Sequence, residues 1–426
     1  MTTLAFAEGF SDAAYRLIEM DEPLLQASTI PAPLPPARAS GGAGLAATPA
    51  APHSQELLSD GGSVCIKGCG EDEAVLTTHD ASYVVRLADS SNSMLLVRGG
   101  VEVSSTAGSP GGGGGGGEEN QPPLAVAARA HEHLELVRCA PRLGDVRRRL
   151  CACPYGGREA EEALDEPAVG EEEALAPSRP DARPTLSSLE AAAQCSPLEL
   201  RAALQRWRAV EVAGRWCCLD PQYEADCVEC LLALAVEQEW PLHAVPVPSA
   251  VEALAAQFDE ATVRHCLRSH STAAAAPWEE WLAAAASDEV ALEPRAICTF
   301  RARVLLLETE AWPKDAFDEA WADGVPRGIE PSDADLDGLA VLLPPDGRAA
   351  KGAPLTVRAL SAEAMPPDAA ARFSVLWSLK PSWAMRELGP YLLDIVAPGS
   401  SAEALVLQHA RCVTASDGSR SYVERK

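Results

Sequence analysis

Seven consecutive glycines, Gly111–Gly117, followed by Glu118-Glu119-Asn120-Gln121-Pro122-Pro123, set the first limit on how this chain can fold. Glycine brings no side chain to bury and loses the most backbone entropy on ordering, so this stretch cannot be packed core. A second break covers 27–56, rich in Ala, Pro, Gly and Ser around Pro31-Ala32-Pro33-Leu34-Pro35-Pro36. Both 27–56 and 104–123 have the composition of flexible insertions. A third break, 156–184, holds nine acids against three arginines and four prolines and reads as an acidic interdomain linker. The 426 residues therefore divide into pieces, with room for about two to four domains.

Between the first two breaks the sequence predicts short strands. Ser63–Lys67, Ala74–Thr78, Ser82–Ala88 and Met94–Arg98 are β-branched runs, with Gly68-Cys69-Gly70-Glu71-Asp72 and Asp89-Ser90-Ser91-Asn92 as turns. Leu134–Arg138 and Tyr15–Met20 add two more strands. Six short strands make a small core, which predicts a meander or small barrel whose edges need a partner.

After residue 184 the pattern turns helical. Thr185–Ala193 is one helix, and Ser196-Pro197-Leu198-Glu199 is a capping box opening a second. Val210–Leu219 then reads as two strands around Gly214, and Asp220–Trp240 as a long amphipathic helix. Near the C-terminus, helices are expected at Pro367–Leu379 and at Trp383–Val396, the latter broken by Gly389-Pro390. Ser400-Ser401-Ala402-Glu403 opens a third, Ala402–Arg411, before a hairpin turning at Asp417-Gly418. Helices followed by a hairpin fit a winged helix. The expected fold class is α+β: a small N-terminal β-barrel at 1–150, an acidic linker at 151–184, and winged helices at 185–247, 248–345 and 346–426.

A formal charge of −27 excludes a protein coated with nucleic acid. No stretch of 18 apolar residues predicts a membrane span, and Met1–Gly9 lacks the pattern of a signal peptide. Thirteen scattered cysteines fit a reducing, intracellular compartment better than a disulfide framework.

Catalytic and metal signatures are weak. Cys227-Val228-Glu229-Cys230 is half of a zinc site without a second pair, while Cys217-Cys218 and Cys151-Ala152-Cys153 have unsuitable spacing. Gly68 and Gly70 start a glycine motif that Glu73 breaks, and the polyglycine run lacks the Lys-Ser/Thr of a phosphate loop. His131-Glu132-His133 reads as an exposed strand face. No nucleophile sits in a catalytic context, so no enzyme activity and no cofactor are expected.

Three stretches carry a family resemblance. Gly62–Gly68, Asp72–Leu76 and Tyr83–Leu96 resemble the N-terminal signature of the Dcc family of sister chromatid cohesion proteins, a subunit of an alternative replication-factor-C clamp loader. Arg147–Leu150 with Pro154-Tyr155-Gly156 looks like its basic helix, and Arg372–Leu379, Trp383 and Pro390–Asp394 like its C-terminal block. The resemblance runs collinearly from about residue 12 to 426, with the insertions as departures from it.

The resemblance implies a non-catalytic nuclear subunit. Its N-terminal half would complete a barrel with the loader's large subunit and its small chromosome transmission fidelity subunit, through Val64, Ile66, Val75, Tyr83, Val84, Leu87, Leu95 and Leu96. Its winged helices would bind DNA polymerase epsilon and DNA, acting indirectly on the PCNA clamp. Local charge bears on the DNA contact. Residues 366–426 are nearly neutral, at +1, and Arg372, Lys380, Arg386, Arg411, Arg420, Arg425 and Lys426 are the candidate phosphate ligands, with Arg411 ending the recognition helix. A second basic run, Arg138–Arg149, is a candidate import signal or partner surface. The alternative is a winged-helix scaffold that binds only protein.

Overall fold

The computed structural model describes residues 4–6, 17–20, 55–56, 64–68, 73–98, 124–165, 183–284, 286–344, 354–415 and 418–425. The expected insertion at 104–123, nearly all of 27–56, and residues 166–182 of the expected linker lie outside them. The chain forms two compact units. One comprises Met1–Ala50, Gln55–Leu76 and Tyr83–Arg138; the other comprises Ala51–Ser54, Thr77–Ser82 and Cys139–Lys426.

The first unit is a sheet of β1 (Leu4–Phe6), β2 (Leu17–Glu19), β3 (Gln55–Glu56), β4 (Cys65–Lys67), β5 (Val75–Thr77), β6 (Ser82–Arg98) and β7 (Leu124–Arg138). Strand order is β1-β7-β6-β5-β4-β3, with β2 also pairing β7, so the sheet curls into a half-barrel that stays open. β1 and β2 run parallel to β7, while β6 and β7 are antiparallel. Two strands differ from the expected ones. Residues 82–88 and 94–98 are one strand of 17 residues, not two around a turn. Asp89–Asn92 instead takes up a register shift between Asp89 and Met94, because the long β7 offers a continuous template on which the ladder resumes. β7 itself begins ten residues before the expected Leu134, in an alanine-rich stretch of weak strand propensity.

The second unit is a succession of helices and small two- or three-stranded sheets. Its first segment holds α1 (Gly144–Cys151), α2 (Arg158–Asp165), α3 (Leu186–Ala192), α4 (Pro197–Arg206) and the hairpin of β8 (Val210–Val212) and β9 (Arg215–Cys217). The capping box at Ser196 is formed: its side chain accepts from the Glu199 N–H at 3.2 Å, and Glu199 accepts from the Ser196 N–H at 3.0 Å. Ala213 and Gly214 form the hairpin turn with φ of 51° and 79°, the left-handed pair a two-residue turn requires.

A second segment contains α5 (Pro221–Glu237), β10 (Val245–Pro246), α6 (Val247–Leu254), α7 (Glu260–Ser269), α8 (Trp278–Ala284) and β11 (Glu289–Val290), with β10 paired to β11. The third has α9 (Pro294–Glu308), β12 (Ala311–Pro313), α10 (Lys314–Gly324), a 3-10 turn at Asp333–Leu336, β13 (Ala340–Leu343) and β14 (Thr356–Ala359). The fourth has α11 (Ala369–Leu379), β15 (Ser382–Trp383), α12 (Met385–Leu388), a 3-10 turn at Gly389–Tyr391, α13 (Ala402–His409), β16 (Ala410–Thr414) and β17 (Arg420–Glu424). The third and fourth share one sheet plan: the first strand pairs with the last, giving β12-β14-β13 and β15-β17-β16.

The expected boundary at 345/346 separates β13 from β14, which pair with each other, and the one at 247/248 falls at the first residue of α6. The expected linker is partly folded. Tyr155 is buried among the hydrophobic residues of the second segment, and the buried Arg183 guanidinium bonds the carbonyl of Cys153 at 2.9 Å and the carboxylate of Glu161 on α2. Seventeen linker residues beyond these carry five of the nine acids and three of the four prolines on which the linker expectation rests. The Gly389-Pro390 break is present, since Pro390 cannot donate a helical hydrogen bond.

Candidate interaction surfaces

The N-terminal sheet carries apolar residues on both faces of its central hairpin. Successive strand residues alternate sides, so directly opposed residues share a face. Val85 opposes Leu136 and Leu87 opposes Leu134 on one face; Val84 opposes Val137 on the other. A strand apolar on both sides is suited to burial on both sides. Cover is incomplete. Val75 and Val84 are buried, Val64, Ile66, Tyr83 and Leu96 are half-buried, but Leu87 is 61% and Leu95 43% exposed. Val97 and Val137, absent from the sequence-based set, are also exposed. Their signal was present in the Leu95-Leu96-Val97 and Leu136-Val137 runs, where consecutive apolar residues reach both faces of a strand.

The C-terminal segment redistributes its expected DNA ligands. Arg372 is 1% exposed and cannot meet a phosphate. Its Nε donates to the Pro366 carbonyl at 2.7 Å, Nη1 to the Tyr391 carbonyl at 2.7 Å, and both Nη groups to the Asp394 carboxylate. Lys380 is held by Glu387 at 2.5 Å and lies over the Trp383 ring at 4.9 Å. Arg411 does not end a helix. α13 stops at His409, and Arg411 lies in β16 opposite Val423, because pairing with β17 extends the backbone there. α13 is capped by Ser401 rather than Ser400, and its exposed residues, Glu403, Ala404, Leu407 and Gln408, include no cation.

On the hairpin, Arg411 opposes Val423, while Arg420 opposes Thr414, an odd number of steps along β17, and so points to the other side. Arg420 reaches Glu403 at 3.8 Å. Arg386, Arg411 and Arg425 are exposed, and Lys426 lies outside the described residues. The second basic run is largely paired: Arg147 with Glu363, and Arg148 and Arg149 with Asp145.

A buried polar network had no sequence signal. Arg208, at φ 50° before β8, donates through Nε to Glu224 of α5 at 2.9 Å; Arg303 of α9 and His270 approach the same carboxylate at 3.9 and 4.0 Å. Burial pushes the Glu224 carboxyl up, but Arg208, Arg303 and His270 outweigh it and hold it at about 2. His265 of α7 is pushed down to about 3 by burial and by Arg268, and His270 to about 4 by burial. His265 meets the Arg208 carbonyl through Nε2 at 3.0 Å and Arg268 Nη2 through Nδ1 at 3.0 Å. Those partners assign the hydrogen to Nε2 and the lone pair to Arg268, leaving none to accept the proton of Ser269, whose Oγ is 3.3 Å away. The network ties α5, α7 and α9 to the turn before β8 and offers no general base.

Metal-ligating groups are sparse. Cys227 is buried and Cys230 half-buried on α5. Among the described residues, one set of three candidate ligands gathers: Glu19, His133 and Glu135. His133, expected on an exposed face, is half-buried with Nε2 3.2 Å from Glu19, whereas His131 is exposed. No helix among the described residues is long and apolar enough to cross a membrane.

The family model described as "Sister chromatid cohesion protein Dcc1" matches residues 15–392. The protein named "Sister chromatid cohesion protein DCC1" from Danio rerio is 27% identical over 362 residues, covering 83% of this chain and 82% of that protein. Its Homo sapiens namesake is 24% identical over 355 residues, covering 83% and 82%. A Dictyostelium discoideum protein, "Probable sister chromatid cohesion protein DCC1", is 26% identical over 387 residues, covering 87% and 92%.

Proposed function

From a chain that belongs to the Dcc1 family of sister chromatid cohesion proteins, we infer a non-catalytic subunit of an alternative PCNA clamp loader, acting in the nucleus during DNA replication. The half-barrel would be completed by strands of the loader's large subunit and of its small chromosome transmission fidelity subunit. The C-terminal segments would act as winged helices that contact DNA polymerase epsilon and DNA. The order helix, strand, helix, helical turn and hairpin in the third segment, with α13 added before the hairpin in the fourth, supports the winged-helix reading.

One observation carries the partner role: a central hairpin apolar on both faces, with Leu87, Leu95, Val97 and Val137 left in water, at the heart of an open sheet. Burying one such side chain contributes about 1–2 kcal/mol, and an aspartate in its place adds the cost of desolvating a charge. Leu87→Asp and Leu95→Asp, both at exposed positions, should therefore leave the chain folded and weaken partner binding tenfold or more each. Co-purification of the full-length chain with the loader subunits tests this; full recovery of the complex by folded variants would refute it.

A second reading, a scaffold that contacts only protein, is favoured by α13, whose exposed face has no cation. Duplex binding of the full-length chain at low salt, compared with an Arg411→Glu/Arg425→Glu variant, separates the two. Equal binding by both proteins removes the hairpin from the DNA reading.

A further inference from the structure

Two cysteine motifs that make no zinc site meet in space. Cys151 ends α1, Cys218 follows β9, and the Cys218 N–H donates to the Leu150 carbonyl at 3.2 Å, so the two backbones are fixed side by side. Their sulfurs lie 3.5 Å apart although the residues are 67 positions apart in sequence. Cys151 is exposed and Cys218 half-buried, whereas Cys153 and Cys217 are buried. Among the described residues, no group of three candidate metal ligands includes a cysteine.

We propose that Cys151 and Cys218 form an oxidant-sensitive dithiol, a modification site in which Cys151 is attacked by hydroperoxides and Cys218 resolves the product into a disulfide. Bringing the sulfurs from 3.5 Å to bonding distance closes about 1.5 Å, within reach of side-chain rotation. The Cys151 thiolate attacks one oxygen of hydrogen peroxide; an S–O bond forms, the O–O bond breaks, and the departing hydroxide takes up a proton as water. The Cys218 sulfur then attacks the Cys151 sulfur. An S–S bond forms, the S–O bond breaks, and the hydroxide leaves with the Cys218 thiol proton as a second water. Two thiols are oxidised and one peroxide is reduced.

The surroundings favour this division of labour. The hydrogen bond from the Cys218 thiol, followed by Arg147 one turn back on α1, draws Cys151 down to about 6 against burial and the Glu363 carboxylate. The same hydrogen bond and burial push Cys218 up, so it keeps its proton until attack. Arg147 is shared with Glu363 at 3.3 Å, and the helix C-terminus carries partial negative charge, so Arg147 and the Cys218 thiol supply the stabilisation.

Alkylation of the full-length chain by iodoacetamide gives the first test. Against free cysteine, of pKa about 8.5, the thiolate fraction of Cys151 at pH 6 is larger by about 150-fold. Its lower intrinsic nucleophilicity takes back a little over tenfold, leaving an advantage of about tenfold that vanishes above roughly pH 7.5. Brief peroxide treatment should then yield a peptide linking Cys151 to Cys218, reversible by dithiothreitol. Cys218→Ser should instead accumulate a dimedone-reactive sulfenic acid on Cys151, and Cys151→Ser should give neither product. Cys412, the other exposed cysteine among those described, serves as the in-chain comparison for oxidation. Alkylation of Cys151 no faster than free cysteine at pH 6, or peroxide oxidation that spares Cys151 relative to Cys412, overturns the proposal.

Discussion

Arg372 decides between two meanings of a C-terminal cation: a phosphate ligand or a structural tie. In the structure it joins three parts of the fourth segment. It projects from α11, bonds the Pro366 carbonyl before that helix, and holds the Tyr391 carbonyl and the Asp394 carboxylate after α12. Arg372→Ala leaves two carbonyls without their donor and Asp394 without its partner. Asp394 keeps 36% of its side-chain surface in water, which discounts its share. Breaking a buried pair of this kind costs about 3–5 kcal/mol, a large part of a stability of roughly 5–15 kcal/mol. Arg372→Lys should recover little of it, because an ammonium cannot make the bidentate fork. Urea unfolding of the full-length chain, followed by tryptophan fluorescence, should show the transition of this segment moving down by about 2 M at an m-value near 2 kcal/mol/M. A phosphate ligand predicts the opposite pattern: no change in midpoint, a Lys variant close to the parent, and a DNA salt slope lower by about one. An Arg372→Ala protein with an unshifted midpoint and weakened DNA binding would refute the structural assignment.

Two further outcomes follow from the second unit. His265 and His270 are held neutral, with folded values near 3 and 4 below an unfolded value of about 6.5. The unfolded chain therefore binds protons that the fold refuses, and stability falls as pH drops from about 6.5 towards 4, by about 1.4 kcal/mol per pH unit for each histidine. Equilibrium unfolding at pH 7, 6 and 5 should show this slope, and His265→Gln should roughly halve it; a flat profile contradicts the buried-neutral assignment. In the β8–β9 turn, neighbouring residues should respond with opposite signs. Ala213→Gly should stabilise by about 0.5 kcal/mol and Gly214→Ala destabilise by about 1 kcal/mol, since both sit at positive φ and a Cβ at Gly214 meets nothing within 4 Å. Thermal melts of the two variants check the signs.

Local chemistry was readable where one short stretch settles its own geometry. Ser196-Pro197-Leu198-Glu199 forms its capping box, Ala213-Gly214 its turn, and Gly389-Pro390 its break. The apolar strands of the N-terminal sheet were readable for the same reason, through β-branched runs. What stayed hidden depends on distant partners. Nothing near Arg372 in sequence announces Asp394, 22 positions away, and Arg208, Glu224, His265 and Arg303 come from one turn and three separate helices. A count of charges cannot tell a cation spent inside from one facing solvent. At Asp89–Asn92 the ambiguity is local instead: residues that favour turns also tolerate a bulge, and the neighbouring strand decides between them.

That distinction bears on how much DNA affinity the C-terminus can supply. With Arg372 buried, Lys380 paired with Glu387 and the exposed Arg420 shared with Glu403, the exposed arginines of the fourth segment that face no carboxylate among the described residues are Arg386, Arg411 and Arg425, with Lys426 as a fourth candidate outside the described residues. Each neutralised phosphate adds about 0.9 to the salt dependence, so the duplex slope from these three or four cations would be about −3 to −4. Such a contact loses roughly a hundredfold in affinity between 50 and 200 mM salt, and the −27 charge of the whole chain opposes it throughout. DNA contact through this end alone would therefore depend strongly on salt. In the proposed assembly, recruitment would rest on the half-covered apolar sheet, and the C-terminal cations would orient a complex already delivered by its protein partners.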